Sequence, residues 1–220
     1  MRLVFLGPPG SGKGTQAQLL AAALRLRHVA TGDMFRQAIQ EKSAVGKKVA
    51  RLVNNGELVP DALVGEVVRD HLDGLPNDAG FVLDGFPRTA TQAEMLQEIL
   101  DRRGWSLDAA VALKVPEEVI VARLGGRRVC RHCGATYQAD QLPDPDNGKC
   151  ERCGEPLVTR EDDRPEAVRR RLELYWSTAR GVEEFYAAQG LLREVPAEGT
   201  VEEVQKALLA ALGRGGNDPH

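Results

Sequence analysis

Short apolar runs alternate along the chain with longer segments whose apolar residues recur every three or four positions. Leu3–Leu6, Phe81–Leu83 and Ala109–Val115 are almost uninterrupted apolar runs, the form of strands buried on both faces of a sheet. His28–Ala30 and Leu191–Val195 are shorter or more polar strand candidates. Between them the periodicity predicts a helix over Thr15–Leu26, with Leu19, Leu20, Ala23 and Leu24 as its apolar face. Further helices are predicted over Asp33–Glu41, Val45–Asn55, Asp61–Leu72, Ala90–Arg103, Pro116–Leu124, Pro165–Gln189 and Val201–Leu212. Strands alternating with helices in this way predict an α/β fold, a three-layer core around a mainly parallel sheet.

Two segments break the rhythm. Residues 30–59 read as helical without a strand, which suggests a small helical insertion. Residues 126–163 form a cysteine-, proline- and glycine-rich stretch with few apolar side chains, too few to fold around a core of its own without a staple. The core is then assembled from residues 1–29, 60–125 and 164–213, and the polar tail 214–220 is expected to be disordered.

Composition adds limits. A hydrophobic fraction of 42% with 28% charged residues is ordinary for a folded core. The formal net charge of -3 argues against a general nucleic-acid binder. No run approaches the ~20 apolar residues that span a bilayer, and Met1–Leu6 is too short for a secretory h-region. The cytoplasm is the default expectation. All four cysteines lie in one stretch, an arrangement suited to a metal site in a reducing compartment.

Candidate chemistry begins directly after the first predicted strand. In Gly7-Pro8-Pro9-Gly10-Ser11-Gly12-Lys13-Gly14-Thr15, successive backbone N–H groups can wrap a phosphate at a helix N-terminus. Lys13 can reach its outer oxygens as a point charge. The common form of this loop has Ser or Thr directly after the lysine; here Gly14 stands there and Thr15 follows.

Cys130, Cys133, Cys150 and Cys153 are spaced Cys-x2-Cys-x16-Cys-x2-Cys, with Gly134 and Gly154 one residue after each pair. Two such turns complete a thiolate tetrahedron with no open position, so a metal held there is structural. Zn²⁺ is the ion this set favours; iron also takes tetrahedral thiolate sites.

The loop with Gly-Lys-Gly-Thr resembles that of the nucleoside monophosphate kinases. Thr31-Gly32-Asp33-Met34-Phe35-Arg36 and Asp84-Gly85-Phe86-Pro87-Arg88-Thr89-x-x-Gln92 are similar to that family's other signatures. Gly126-Arg127-Arg128, Thr159-Arg160-x-Asp162-Asp163 and Val168-Arg169-Arg170-Arg171-Leu172 follow in family order. The resemblance covers nearly the whole chain, and Thr31-Gly32 is closer to the adenylate kinases than to the pyrimidine kinases, which favour Ala-Gly there.

The resemblance implies Mg²⁺-dependent transfer of a phosphoryl group, ATP + AMP = 2 ADP, in line and under a closing lid formed by residues 126–163, with residues 30–59 binding the monophosphate. It implies that Gly10, Ser11, Gly12, Lys13, Gly14 and Thr15 hold the ATP phosphates. Arg123 stacks on the ATP adenine, and Thr136 and Tyr137 of the lid touch ATP. Arg36 and Arg88 hold the AMP phosphate, while Arg127, Arg160 and Arg171 close on the transferring group. Thr31, Glu57, Leu58, Val59, Gly85, Phe86, Pro87 and Gln92 frame AMP. Arginine suits phosphate because its planar fork grips two oxygens and stays charged.

Asp84 ends an apolar strand, where a carboxylate can orient waters on Mg²⁺. The family's Asp-Gly-Thr near the ATP base is replaced by Glu198-Gly199-Thr200, in which Gly199 still offers a carbonyl. A monomer is expected, because both flaps must swing. The rival readings are a kinase using another donor or monophosphate, and a zinc-ribbon binding protein; the acidic balance and the Asp84–Gln92 signature oppose the second.

Overall fold

The structure is a computed structural model that describes residues 1–142, 144 and 148–213. The tail expected to be disordered, 214–220, lies outside the described residues. The first half runs β1 (Arg2–Leu6), α1 (Lys13–Leu24), β2 (Arg27–Ala30), α2 (Thr31–Gln40), α3 (Ala44–Asn54), α4 (Asp61–Asp73), β3 (Phe81–Asp84) and α5 (Ala90–Arg102). The second half continues with β4 (Ala109–Lys114), α6 (Glu117–Gly125), β5 (Arg127–Cys130), β6 (Thr136–Gln138), β7 (Leu157–Val158), α7 (Pro165–Ala188), β8 (Leu192–Pro196) and α8 (Val201–Ala211). Short 3₁₀ turns occupy Ala139–Gln141 and Glu161–Asp163.

Five strands form one parallel sheet in the order β2-β3-β1-β4-β8. Alternate residues of its central strands face opposite sides. Val4, Leu6, Phe81, Leu83, Ala110 and Ala112 join one apolar cluster, while Leu3, Phe5, Val82, Ala109, Val111 and Leu113 join the other. The register Val4↔Leu83 and Leu3↔Val82 keeps each set in a single layer. Helices cover both layers, which is why these strands read as unbroken apolar runs. β1 pairs with β3 on one side and β4 on the other, so the order reverses at the carboxyl end of β1, where α/β sheets leave a crevice for ligands.

The expected helices all form, with shifted ends. α1 stops at Leu24, because Arg25 takes a left-handed conformation (φ 55°) and Leu26 N bonds back to Ala21 O at 2.8 Å. Its buried face also differs from the expected one. Gln16, Ala17, Leu20 and Ala21 are buried, whereas Leu19 is 42% exposed. Apolar residues ring this helix, so periodicity alone does not single out a face; contact with β3 and α8 does.

The segment 126–163 departs most from expectation. It contains a three-stranded antiparallel sheet, β6-β5-β7, and a small core of Cys130, Ala135, Leu142, Cys150 and Leu157 with Tyr137 against it. Strands of two to four residues, one of them starting Arg-Arg, leave no periodic signal. No helix among the described residues is long and apolar enough to cross a membrane.

Candidate active site

At the carboxyl edge of the parallel sheet lies a cleft of about 700 Å³, large enough for nucleotide-sized ligands. Its floor is the loop between β1 and α1. Gly12, at φ 91°, is the N-cap of α1, a conformation that disfavours any side chain. No side chain caps that helix end and no acidic residue sits in its first turn. Its N–H groups and partial positive charge therefore face the cleft, as an anion requires. Lys13 folds back over the loop, its Nζ donating to Gly7 O (2.6 Å) and Pro8 O (2.7 Å). A Cβ on Gly14 would come 3.4 Å from Asp84 Oδ2. That is ordinary contact, so the space beside Asp84 does not by itself demand the glycine that departs from the common loop pattern.

Asp84 closes β3 beside this loop. Burial alone would raise its carboxyl, but His28, Lys13 and Arg88 outweigh it and hold it below the usual range. A partly buried, ionised carboxylate facing a phosphate loop is the donor type that Mg²⁺ takes, so the residues present fit that ion. Burial pushes the Lys13 ammonium down to about 7, with Asp84 opposing and Arg88, Arg171 and Arg127 assisting. The cleft lining carries seven basic residues (Lys13, Arg36, Arg88, Arg123, Arg127, Arg160, Arg171) against four acidic ones (Asp33, Asp84, Glu183, Glu202). That surplus suits a polyanion.

The arginines are held by carboxylates that the sequence reading did not single out. Asp163, with no exposed side-chain surface, accepts from Arg127 Nε (2.7 Å) and Nη2 and from Arg171 Nη1 (3.3 Å). Asp162 lies 3.1 Å from Arg171 and 3.9 Å from Arg36. Burial works against its ionisation, but Arg171, Arg36, Arg127 and Arg160 together keep its carboxyl below the usual range. Arg160 approaches Asp33 at 4.0 Å. Burial lowers Arg160 and Arg171 to about 10 each, still charged at neutral pH. The signal for these acids was present in Thr159-Arg160-x-Asp162-Asp163, but acids inside a charged run read as solvated.

Other expected residues fall as follows. Gly10, Ser11, Gly12, Thr15, Leu58, Gly85, Pro87, Thr136, Tyr137 and Gly199 line the same cleft. Arg123 donates to the carbonyls of Ala197 (2.9 Å), Glu198 (3.2 Å) and Gly199 (3.5 Å), so Arg123 and Gly199 meet. Arg88 Nε donates to Gly85 O at 2.8 Å.

Thr31, Phe86, Val59 and Gln92 are buried behind the lining, and Glu57 pairs with Arg170 at 3.0 Å. The Gln92 amide is engaged at both ends. Its Oε1 accepts from Arg88 N and its Nε2 donates to Asp61 Oδ1, both at 2.7 Å. Asp61, at the start of α4, carries no motif and was not anticipated.

The cysteine cluster stands at the far end of β5. Two like turns build it: Gly134 N bonds to Cys130 O (3.0 Å) and Gly154 N to Cys150 O (2.7 Å), with both glycines at positive φ (73° and 76°). Cross pairs of sulfurs, Cys130 with Cys153 and Cys133 with Cys150, lie 3.4 Å apart. All four lie within 4.8 Å of one another. Thiolates around Zn²⁺ at ~2.3 Å would be ~3.8 Å apart, so the donor set fits a tetrahedral ion. The sequence model of the adenylate kinase family matches residues 5–191.

Proteins named adenylate kinase are similar over nearly the whole chain. That of Lachnospira eligens is 42% identical over 213 residues, 97% of this chain and 100% of the relative. That of Thermosipho melanesiensis is 44% identical over 214 residues, again 97% and 100%. That of Finegoldia magna is 44% identical over 215 residues, 98% and 100%.

Proposed function

The chain belongs to the adenylate kinase family and catalyses ATP + AMP = 2 ADP, and on that premise we propose how its residues divide the work. The observation that carries the division is the single cleft in which the phosphate loop and six arginines face one another.

Lys13 and the N–H groups of the loop from Gly10 to Thr15 hold the ATP phosphates. Arg36 and Arg88 hold the AMP phosphate, and Arg127, Arg160 and Arg171 grip the group in flight. Arg123, fixed by three carbonyls, presents its flat face to the ATP adenine beside Gly199. Thr31, Gln92 and residues 57–59 and 85–87 surround AMP. For Gln92 this requires its amide to exchange one present partner for the base. Asp162 and Asp163 act as positioning residues, fixing the forks of Arg171 and Arg127 before substrate arrives.

When bound, Mg²⁺ supplies neutralisation of the phosphate oxygens, and Asp84 is the residue that would hold its shell. No protein nucleophile is needed. A phosphate oxygen of AMP attacks the γ-phosphorus of ATP once the two nucleotides lie end to end. The bond from that phosphorus to the β,γ-bridging oxygen breaks and ADP leaves. The protein contributes alignment, charge and exclusion of water. Residues 126–163 serve as lid, 30–59 as the AMP-side insertion, and 1–29, 60–125 and 164–213 as core. The cysteine set holds Zn²⁺ in that lid. We read the protein as a cytoplasmic monomer with no nucleic-acid or membrane partner. The net charge of -3 speaks against a nucleic-acid partner, a cleft that must open favours the monomer, and size-exclusion chromatography tests the monomer.

A coupled assay with ATP and each of AMP, GMP, CMP and UMP tests the substrate assignment. AMP should be preferred by at least about a hundredfold in kcat/KM, as expected where buried polar groups read the base. Turnover favouring UMP would replace the assignment.

The depressed Lys13 ammonium gives a pH prediction. In the free protein it loses its proton as pH rises through about 7. Bound phosphates favour the charged form, so at pH 8 nucleotide binding should take up a proton. Affinity should fall above pH 7, by at most about tenfold per unit. Calorimetry in two buffers of different ionisation enthalpy reads the uptake directly; no proton uptake at pH 8 would contradict the assignment.

A further inference from the structure

Tyr137 connects the two sites of this protein. It lines the nucleotide cleft, and its Oη lies 3.3 Å from Cys150 Sγ. The same oxygen accepts a hydrogen bond from Glu151 N, at 3.1 Å, inside the Cys150–Cys153 turn. A phenol has one proton of its own. Either atom of the Tyr137–Cys150 pair could donate. A Cys150 sulfur that binds a metal as thiolate has no proton and can only accept, so the phenol proton is then the one directed at the sulfur.

The strand pair around it joins the same two places. β5 begins at Arg127, in the cleft, and ends at Cys130, in the cluster; Tyr137 sits opposite Arg128 in the register. Tyr137 also packs against the cluster's small core. Metal-bound thiolates are stabilised by donors outside the coordination shell, and loss of such a donor loosens the ion. A group that touches both ligands of a protein can couple their binding, and a coupling of binding free energies acts equally in both directions.

We propose that the Tyr137 hydroxyl is the outer-sphere partner of the Cys150 ligand and that, through it, nucleotide in the cleft retards loss of metal from the cysteine cluster. Tyr137 is in this respect a positioning residue for the metal. The inference rests on the cluster holding a metal and the cleft holding nucleotide, as proposed above.

The test compares the zinc-loaded full chain with its Tyr137→Phe variant, which keeps the ring and removes only the hydroxyl. Zinc release to an excess of chromophoric chelator is followed without Mg²⁺, with and without a saturating dinucleoside polyphosphate bearing two adenosines. The variant should release zinc about tenfold faster. The dinucleotide should slow release from the unaltered protein about fivefold or more and leave the variant's rate nearly unchanged. In the cobalt-loaded variant an undiminished thiolate-to-metal absorption band would show that all four ligands are in place, so that faster release is not unfolding.

Equal release rates in the two proteins would overturn the proposal, as would equal protection by the dinucleotide. If the unaltered protein held no metal, the cluster's assignment and this inference would fall together. If it held metal and the variant behaved identically, only this inference would fall.

Discussion

Replacing Lys13 by methionine should lower kcat by about a thousandfold and leave the protein folded, with a melting temperature unchanged or slightly higher. The catalytic loss follows from position. Lys13 opens α1 and projects over the phosphate loop, where it supplies mobile positive charge to the oxygens that gain charge during transfer. Backbone N–H groups of the loop remain in the variant and preserve part of the binding. The stability sign comes from the ammonium's own environment. A lysine held near 7 inside the fold, against 10.5 outside it, costs stability fully below about pH 7, and the cost fades as pH rises towards 10.5. A neutral side chain of similar length removes that cost at neutral pH. A coupled assay alongside thermal denaturation gives both readouts; a variant of ordinary activity would contradict the role assigned to Lys13.

The second large effect is expected from removing the metal. Stripping it with a strong chelator should lower the melting temperature by about 10 °C or more, with β5, β6 and β7 losing structure before the parallel sheet. The reason lies in how little else holds that segment. Among the described residues its apolar core is five side chains, two of them from the cysteine cluster, and its strands are two to four residues long. A sheet this small is marginal in water by itself. Thiol reactivity and limited proteolysis within the segment should both rise before the main transition. A stripped protein melting at the same temperature as the loaded one would exclude a structural metal.

What could be read in advance depended on whether a residue's partners were near in sequence. β1, β3 and β4 were legible because a strand covered on both faces must be apolar throughout. The phosphate loop and the cysteine turns were legible because their geometry is local: glycines at fixed offsets permit the turn, whatever the rest of the chain does. The face of α1 was not, since alanines and leucines surround it and the choice is made by β3 and α8. β5, β6 and β7 were invisible for a different reason. Their pairing depends on the cysteine turns bringing residues 127–130 and 157–158 together, and no pattern within three residues records that.

The candidate site divides in the same way. Arg88, Arg127 and Lys13 came from motifs, and all three line one cleft. Asp61 as the partner of Gln92, 31 residues distant, could only be found in three dimensions. So could the burial of Asp163 beneath Arg127: a carboxylate in a run of charges gives no sign of having lost its water.

The contacts between α2 and residues 160–162 have one more consequence. Arg36 reaches Asp162 at 3.9 Å and Asp33 reaches Arg160 at 4.0 Å, distances of attraction between charges and not of close hydrogen bonding. Pairs of that kind, without a close hydrogen bond, are worth little, about 0–1 kcal/mol each. α2 and residues 160–162 are therefore tethered only loosely through these pairs, and a phosphate entering the cleft can take over either arginine at small cost.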